Sequence, residues 1–205
     1  MDSNKHLNYG MDKSTFNPDS NRLNFDYLKG IIDTDGHIPS RDARKGFRIV
    51  ISQNHHNFLE IIKIFVQKEF KDLRANFYMG GTQLSFSGRD FYNFIVNYKI
   101  KDYDSYYAGI VDGDGSFCPH VSSSGTYWRF CLGASKERKI KIFKEFFEYF
   151  KLNPICWSNR KTNVQMFGLQ RVDDLILLLD KIGKRLIVKQ FVGDKVIKEL
   201  KARKE

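Results

Sequence analysis

One short sequence occurs twice in this 205-residue chain, and the repeat constrains the fold more than any other feature. Phe25-Asp-Tyr-Leu-Lys-Gly-Ile-Ile-Asp-Thr-Asp-Gly-His37 and Asp104-Ser-Tyr-Tyr-Ala-Gly-Ile-Val-Asp-Gly-Asp-Gly-Ser116 both read G-I-[IV]-D-x-D-G, and Asp33 and Asp112 stand 79 residues apart. A period of that length predicts two copies of one supersecondary unit. In each copy the apolar residues before the carboxylates (Leu28, Ile31, Ile32; Tyr107, Ile110, Val111) continue one helical face. Gly30 and the pair Ala108-Gly109 remove bulk from that face. Glycine in a helix interior costs about 1 kcal/mol, so its use at one place in both copies implies a close approach, and the economical partner is the other copy.

The segments downstream of the two copies also correspond. Phe47 to Gln53 alternates, with Phe47, Ile49 and Ile51 on one face and Arg48, Val50 and Ser52 on the other, the pattern of a half-buried strand. His55 to Phe70 has a helical apolar stripe. Arg74 to Met79 and Thr82 to Ser87 flank Gly80-Gly81 as a hairpin, and Arg89 to Ile100 returns to helix. In the second half Thr126 to Ala134 alternates and Lys136 to Phe150 is amphipathic. Pro154 to Arg160 and Asn163 to Leu169 form a hairpin, and Val172 to Ile182 and Val188 to Arg203 are helices. The expectation is an α+β chain of two pseudo-symmetric α-β-β-α-β-β-α halves, residues 25–103 and 104–205, the second one helix longer. Residues 1–24, polar and without hydrophobic periodicity, read as an irregular N-terminal arm.

The repeated acids need a physical account. Carboxylates at a helix C-terminus face the negative end of the dipole and are disfavoured by about 0.3–1 kcal/mol each unless something positive compensates. A divalent cation would do so. An EF-hand-type calcium loop is excluded, because its sixth and twelfth positions, counted from Asp33 and from Asp112, are Ile38 and Arg44, and Phe117 and Ser123. One D-x-D-G alone is an ordinary turn sequence; two copies in the same helical setting indicate function.

Composition narrows the partner. Lys+Arg 34 against Asp+Glu 24 gives a net charge of +10, with 41% hydrophobic residues to build cores, so the charge lies on folded surface and favours a polyanion. The excess is skewed, +3 in residues 25–103 and +7 in 104–205. No apolar run approaches the roughly 18 residues of a spanning helix, and the N-terminus carries no signal-peptide pattern, which predicts an intracellular protein with no membrane partner. Cys118, Cys131 and Cys156 have no C-x-x-C spacing and read as packing residues, while His55-His56 reads as a solvated helix start.

Leu28-Lys-Gly-Ile-Ile-Asp-Thr-Asp-Gly36 and Tyr107-Ala-Gly-Ile-Val-Asp-Gly-Asp-Gly115 resemble the two signature motifs of the LAGLIDADG homing endonucleases, single-chain two-motif type, over residues 25–205. Lys29 and Tyr107 depart from the nine-letter pattern without removing a carboxylate or the central glycine. The resemblance implies a monomer whose two antiparallel sheets form a saddle on duplex DNA. It further implies site-specific, metal-dependent cleavage of both strands in intron homing, with Mg²⁺ as cofactor and Ca²⁺ or Mn²⁺ able to take its place. By the same resemblance Asp35 and Asp114 are the catalytic metal ligands, Asp33 and Asp112 the helix-end structural acids, and Gln53 the residue that orders water. Ala134 and Ser135 stand at the corresponding place in the second half. Lys101 and Lys189 match the active-site lysines. The compartment it leaves open is an organelle, a phage-infected cell or a prokaryotic cytoplasm.

Recognition is expected from the outward strand faces: Arg41, Arg44, Arg48, Asn76, Tyr78, Gln83 and Ser85 in the first half, and Arg129, Asn159, Arg160 and Gln165 in the second. Arginine and glutamine make bidentate contacts to guanine and adenine in the major groove. Different residues on the two faces imply a long, non-palindromic target. Two alternatives share the fold: an RNA maturase that binds intron RNA, and a DNA-binding regulator that has lost cleavage.

Overall fold

A computed structural model describes residues 20–39, 46–123, 125–159 and 162–204. The first half runs α1 (Phe25–Asp35), β1 (Gly36–His37), β2 (Arg48–Ser52), α2 (His56–Glu69), β3 (Arg74–Tyr78), β4 (Gln83–Ser87) and α3 (Arg89–Val96). The second runs α4 (Tyr103–Asp114), β5 (Ser116–Ser122), β6 (Gly125–Ala134), α5 (Glu137–Tyr149), β7 (Ile155–Asn159), β8 (Val164–Leu169), α6 (Val172–Ile182) and α7 (Gln190–Ala202). Each half builds one four-stranded antiparallel sheet, ordered β1-β2-β4-β3 and β5-β6-β8-β7, so the fold is α+β and repeated as the sequence predicts.

The motif helices begin alike. The Asn24 side chain accepts from the Tyr27 backbone N–H at 2.9 Å and the Asp102 side chain from that of Ser105 at 3.2 Å, each satisfying a donor the first turn leaves open. Behind the sheets lie the amphipathic helices. Phe58, Leu59, Ile62 and Val66 of α2 and Phe91 and Ile95 of α3 cover the first sheet, and Ile142, Phe143, Phe146 and Phe147 of α5 and Leu175, Leu178 and Leu179 of α6 fill the second core. Burying one such side chain contributes roughly 1.5–3 kcal/mol, which makes these helix–sheet faces the main source of cohesion.

The β3–β4 hairpin turns through Met79, Gly80 and Gly81 at φ of 53°, 64° and 88°, a left-handed run that the two glycines make accessible. Helix α3 ends at Val96, four residues before the predicted Ile100. Asn97 is the reason: its side-chain amide takes the Asn93 carbonyl at 2.8 Å and closes the last turn. The segment read as an arm also needs correction at its end. Ser20–Arg22 form a 3-10 turn, Leu23 is buried, and the Arg22 guanidinium donates to the Leu186 carbonyl at 3.1 Å, so residues from 20 on belong to the folded body.

Candidate active site

Helices α1 and α4 cross backbone to backbone. A Cβ placed on Gly30 would stand 2.1 Å from the Tyr106 carbonyl oxygen, and one on Gly109 would stand 2.1 Å from that of Tyr27. The two glycines are therefore each other's counterparts across the crossing. A reciprocal exchange ties the helices further: the Tyr27 hydroxyl donates to Asp112 Oδ2 at 2.6 Å, and the Tyr106 hydroxyl donates to Asp33 Oδ2 at 3.0 Å. Burial, together with the neighbouring carboxylate, holds both phenols well above the ordinary tyrosine range. These tyrosines occupy the same place in the repeat, a signal that the sequence carries and that the motif alone does not reveal.

The crossing brings the C-terminal ends of both helices together. A Cβ on Gly113 would meet Thr34 Oγ1 at 2.1 Å and Asp35 Oδ2 at 3.4 Å, so the second motif packs directly on the first motif's last acid. The Asp35 carboxyl is pushed up to about 6, first by burial and then by the charge of Asp114; Lys189, Lys139 and the Gln53 hydrogen bond oppose the rise. The Gln53 amide nitrogen donates to Asp35 Oδ2. Across the pair, Lys139 of α5 donates to Asp114 Oδ2 at 2.7 Å. A cleft of about 260 Å³ opens here, with Asp35, Gln53, Gln83 and Gly113 among its walls.

Lys189 is set by Asp112. Asp112 accepts backbone N–H bonds from Ile187 at 2.6 Å, Val188 at 3.0 Å and Lys189 at 2.7 Å, while the Lys189 ammonium donates to the Asp112 carbonyl oxygen. Burial lowers the pKa of that ammonium, against the pull of Asp112, Asp35 and Asp114. Asp33 holds side chains instead: Lys29 at 2.5 Å and Arg138 of α5. Lys139 and Arg138 are absent from the residues expected on sequence grounds because no motif surrounds them; their one signal is position, in the first turn of the helix after β6.

Lys101 lies elsewhere. Its backbone N–H donates to Asp26 Oδ1 at 2.8 Å, at the start of α1. At about 1.5 Å of rise per residue, that contact is about 13 Å along the helix from Asp35. The loop before α4 meets the wrong end of the helix pair, so Lys101 does not pair with Lys189 as the sequence had led us to expect. The counterpart of Gln53 also resolves. Gly36 pairs with Ile51, and Ser116 with Cys131, which places Gly115 level with Leu132; two residues on, Gln53 corresponds to Ala134. The second copy thus has a buried methyl where the first has an amide.

Strand alternation decides which side chains face away from the helices. In the first sheet Ile49, Ile51, Leu84 and Phe86 face the core, which turns Arg48, Gln83, Asn76 and Tyr78 outward; Ser85 shares that side by register but is buried, a correction to its assignment as a DNA contact. Arg48 donates to Ser85 Oγ at 2.7 Å and stacks over the Tyr78 ring at 5.3 Å. In the second sheet Phe130 and Leu132 pair with Leu169 and Phe167 on the core side, so Arg129 faces outward. Gln165 pairs with buried Ala134 in that same alternation and belongs to the helix side, a correction to its assignment as a DNA contact. Arg41, Arg44 and Arg160 lie outside the described residues, and Asn159 is described only by its register opposite Val164.

No helix among the described residues is long and apolar enough to cross a membrane. No protein-family model and no curated protein sequence matches the chain. Solved structures do match it. The LAGLIDADG homing endonuclease I-SmaMI bound to cleaved DNA is 12% identical with a TM-score of 0.64, covering 89% of this chain and 90% of its own. I-GzeII in complex with its DNA target is 12% identical with a TM-score of 0.62 and coverage of 89% and 91%. The meganuclease I-AabMI bound to uncleaved DNA is 14% identical with a TM-score of 0.59 and coverage of 88% and 92%. With both glycine-mediated helices, both sheets and nearly the full length of each neighbour accounted for, the chain has the single-chain, two-motif LAGLIDADG fold.

Proposed function

We propose that this protein is a site-specific endonuclease that binds a long, non-palindromic DNA duplex as a single chain and hydrolyses both strands at the acid cluster. The observation that carries this reading is the meeting of Asp35 and Asp114 at the ends of two helices in backbone contact, close enough that the charge of one raises the pKa of the other. Such a pair is costly to a structure and has no packing purpose. Outward-facing Asn76 and Gln83, with Arg48 beside them, supply side chains that read base edges.

The donor set suits Mg²⁺. Two carboxylates, with Asp35 on the wall of a cleft of about 260 Å³ that leaves room for water, match a hard cation that keeps most of its hydration shell. Asp35 and Asp114 would hold it. When bound, it supplies charge stabilisation at the phosphate and a more acidic water.

The remaining roles belong to the chain. Gln53 orients Asp35 and offers an amide to water on the first-half side. Lys189, whose segment is anchored through three N–H bonds to Asp112, places its side-chain nitrogen beside both acids. Lys139 does the same from the second half, within 2.7 Å of Asp114. These cations offset the negative charge that accumulates on the phosphoryl oxygens in the transition state.

Cutting of duplex DNA should require Mg²⁺ and weaken steeply with salt as Lys and Arg contacts to phosphate are screened. Assaying one preparation for Mg²⁺-dependent DNA cutting, RNA binding and assisted splicing tests the reading. Splicing activity without cutting would replace it with the maturase.

A further inference from the structure

The outward faces of the two sheets differ in chemistry. The first offers Arg48, Arg74, Asn76, Gln83 and Ser87, all able to hydrogen-bond. On the second, register turns Ile155 and Trp157 of β7 and Val164 and Met166 of β8 to the corresponding side, while β5 and β6 carry Cys118, His120, Tyr127 and Arg129 there. Two glycines make space for them. A Cβ at Gly133 would stand 2.7 Å from the Met166 sulfur and 3.3 Å from Val164, and one at Gly168 would stand 2.7 Å from the Trp157 ring. Met166 and Trp157 thus lie across the sheet on bare backbone, forming a shallow apolar shelf; Ile155 at its edge is 52% exposed.

Arg129 is the cation of this face among the described residues of its strands, and it is already held. Its guanidinium stacks on Trp157 at 5.6 Å, reaches the Tyr127 hydroxyl at 3.3 Å and, with the Gln170 amide oriented to accept, bonds Gln170 at 2.7 Å and 3.1 Å. The shelf belongs to the sheet whose edge strand β5 leaves directly from Asp114-Gly115, and it lies beyond β6 on β8 and β7. On the endonuclease reading, a duplex seated at the acids extends over this face.

Resting on the endonuclease reading, we infer that the half-site against the second sheet is A·T-rich and is read through thymine methyl groups by Trp157, Met166, Val164 and Ile155. The thymine C5-methyl is the one apolar group a base pair presents in the major groove. Either base pair buries its polar edge atoms against such a shelf, so the discrimination rests on the methyl, which a G·C pair does not offer. Under β7 and β8 base selection therefore rests on the methyl, whereas His120, Tyr127 and Arg129 keep polar groups on the β5–β6 side of the same face.

The test starts with selection of bound duplexes from a fully randomised library by the intact protein, without Mg²⁺ so that the strands stay whole. The same selection with Met166→Gln marks the half-site under the second sheet as the one whose preference shifts. Thymines selected there are then replaced by deoxyuridine, which removes only the methyl. The expected result is a thymine-rich half-site with binding weakened about two- to fourfold per replacement, a buried methyl being worth roughly fourfold at most. The same replacement in the other half-site should have little effect. Selection of G·C pairs in the half-site that Met166→Gln alters, or no response to deoxyuridine, overturns the inference and leaves the DNA reading standing. Absence of any sequence-selective duplex binding overturns the DNA reading, and tighter binding of single-stranded RNA would recast the shelf as a base-stacking platform.

Discussion

Asp33 and Asp112 hold the same place in the two repeats, yet their partners differ in kind. Asp112 is 1% exposed and gathers three backbone N–H groups and the Tyr27 hydroxyl, so it is part of how the chain before α7 folds. Asp33 is held by Tyr106, Lys29 and Arg138, and the Arg138 side chain is 62% exposed. The next acids diverge too, Asp35 facing an amide and Asp114 a lysine. Pseudo-symmetry is kept where backbones touch and in the two tyrosine–aspartate bonds, and lost in the remaining side-chain partners. The two strands of a target would accordingly be cut in unlike electrostatic surroundings.

The shared part should be the most fragile. Gly30→Ala and Gly109→Ala each drive a methyl into a backbone carbonyl 2.1 Å away, and chemical denaturation should show a loss above about 3 kcal/mol or failure to fold, alike for both. Unequal losses would break the symmetry of the crossing. The divergent part comes next. Asp112→Ala strands three N–H donors and should cost about 3–5 kcal/mol, whereas Asp33→Ala strands the buried Tyr106 hydroxyl but frees Arg138 to turn to water and should cost less, about 2–3 kcal/mol.

Asp35 carries a prediction of opposite sign. Its folded pKa lies above the ordinary 3.8, at about 6, so the ionised carboxylate opposes folding. This group's favourable contribution is complete below pH 3.8 and disappears as pH rises through about 6. Asp35→Asn should therefore raise stability at neutral pH, by about 1–2 kcal/mol after solvent screening, and flatten the stability profile across that window. An unchanged profile would show that neither burial nor the charge of Asp114 raises the Asp35 carboxyl. The smallest effect is expected at Lys101. Lys101→Ala should leave cutting within about twofold of the parent, while Lys189→Ala should lower it about a hundredfold, the scale for removing one transition-state donor.

The sequence made the duplication, the strand and helix order and the acid pair legible, because each is written in local periodicity or in a repeated motif. Gly30 and Gly109 even indicated which surfaces meet. The parts that stayed hidden depend on tertiary register. Lys101 and Lys189 look equivalent by spacing, but one loop meets the start of α1 and the other the end of α4. Gln165 has the composition of a DNA contact and a strand parity that turns it toward the helices. Lys139 and Arg138 reach the site only because β6 delivers α5 to both motif ends, information that no window of sequence contains.

Central to this account is one centre, built from Asp35 and Asp114 together, that cuts both strands. Strand-resolved cleavage of the selected duplex by the parent protein and by the Asp35→Asn, Asp114→Asn double variant tests it most directly, with affinity measured in parallel. The account predicts that the parent cuts both strands in Mg²⁺ and that the variant binds the same duplex and cuts neither. Full double-strand cutting by the double variant would contradict it.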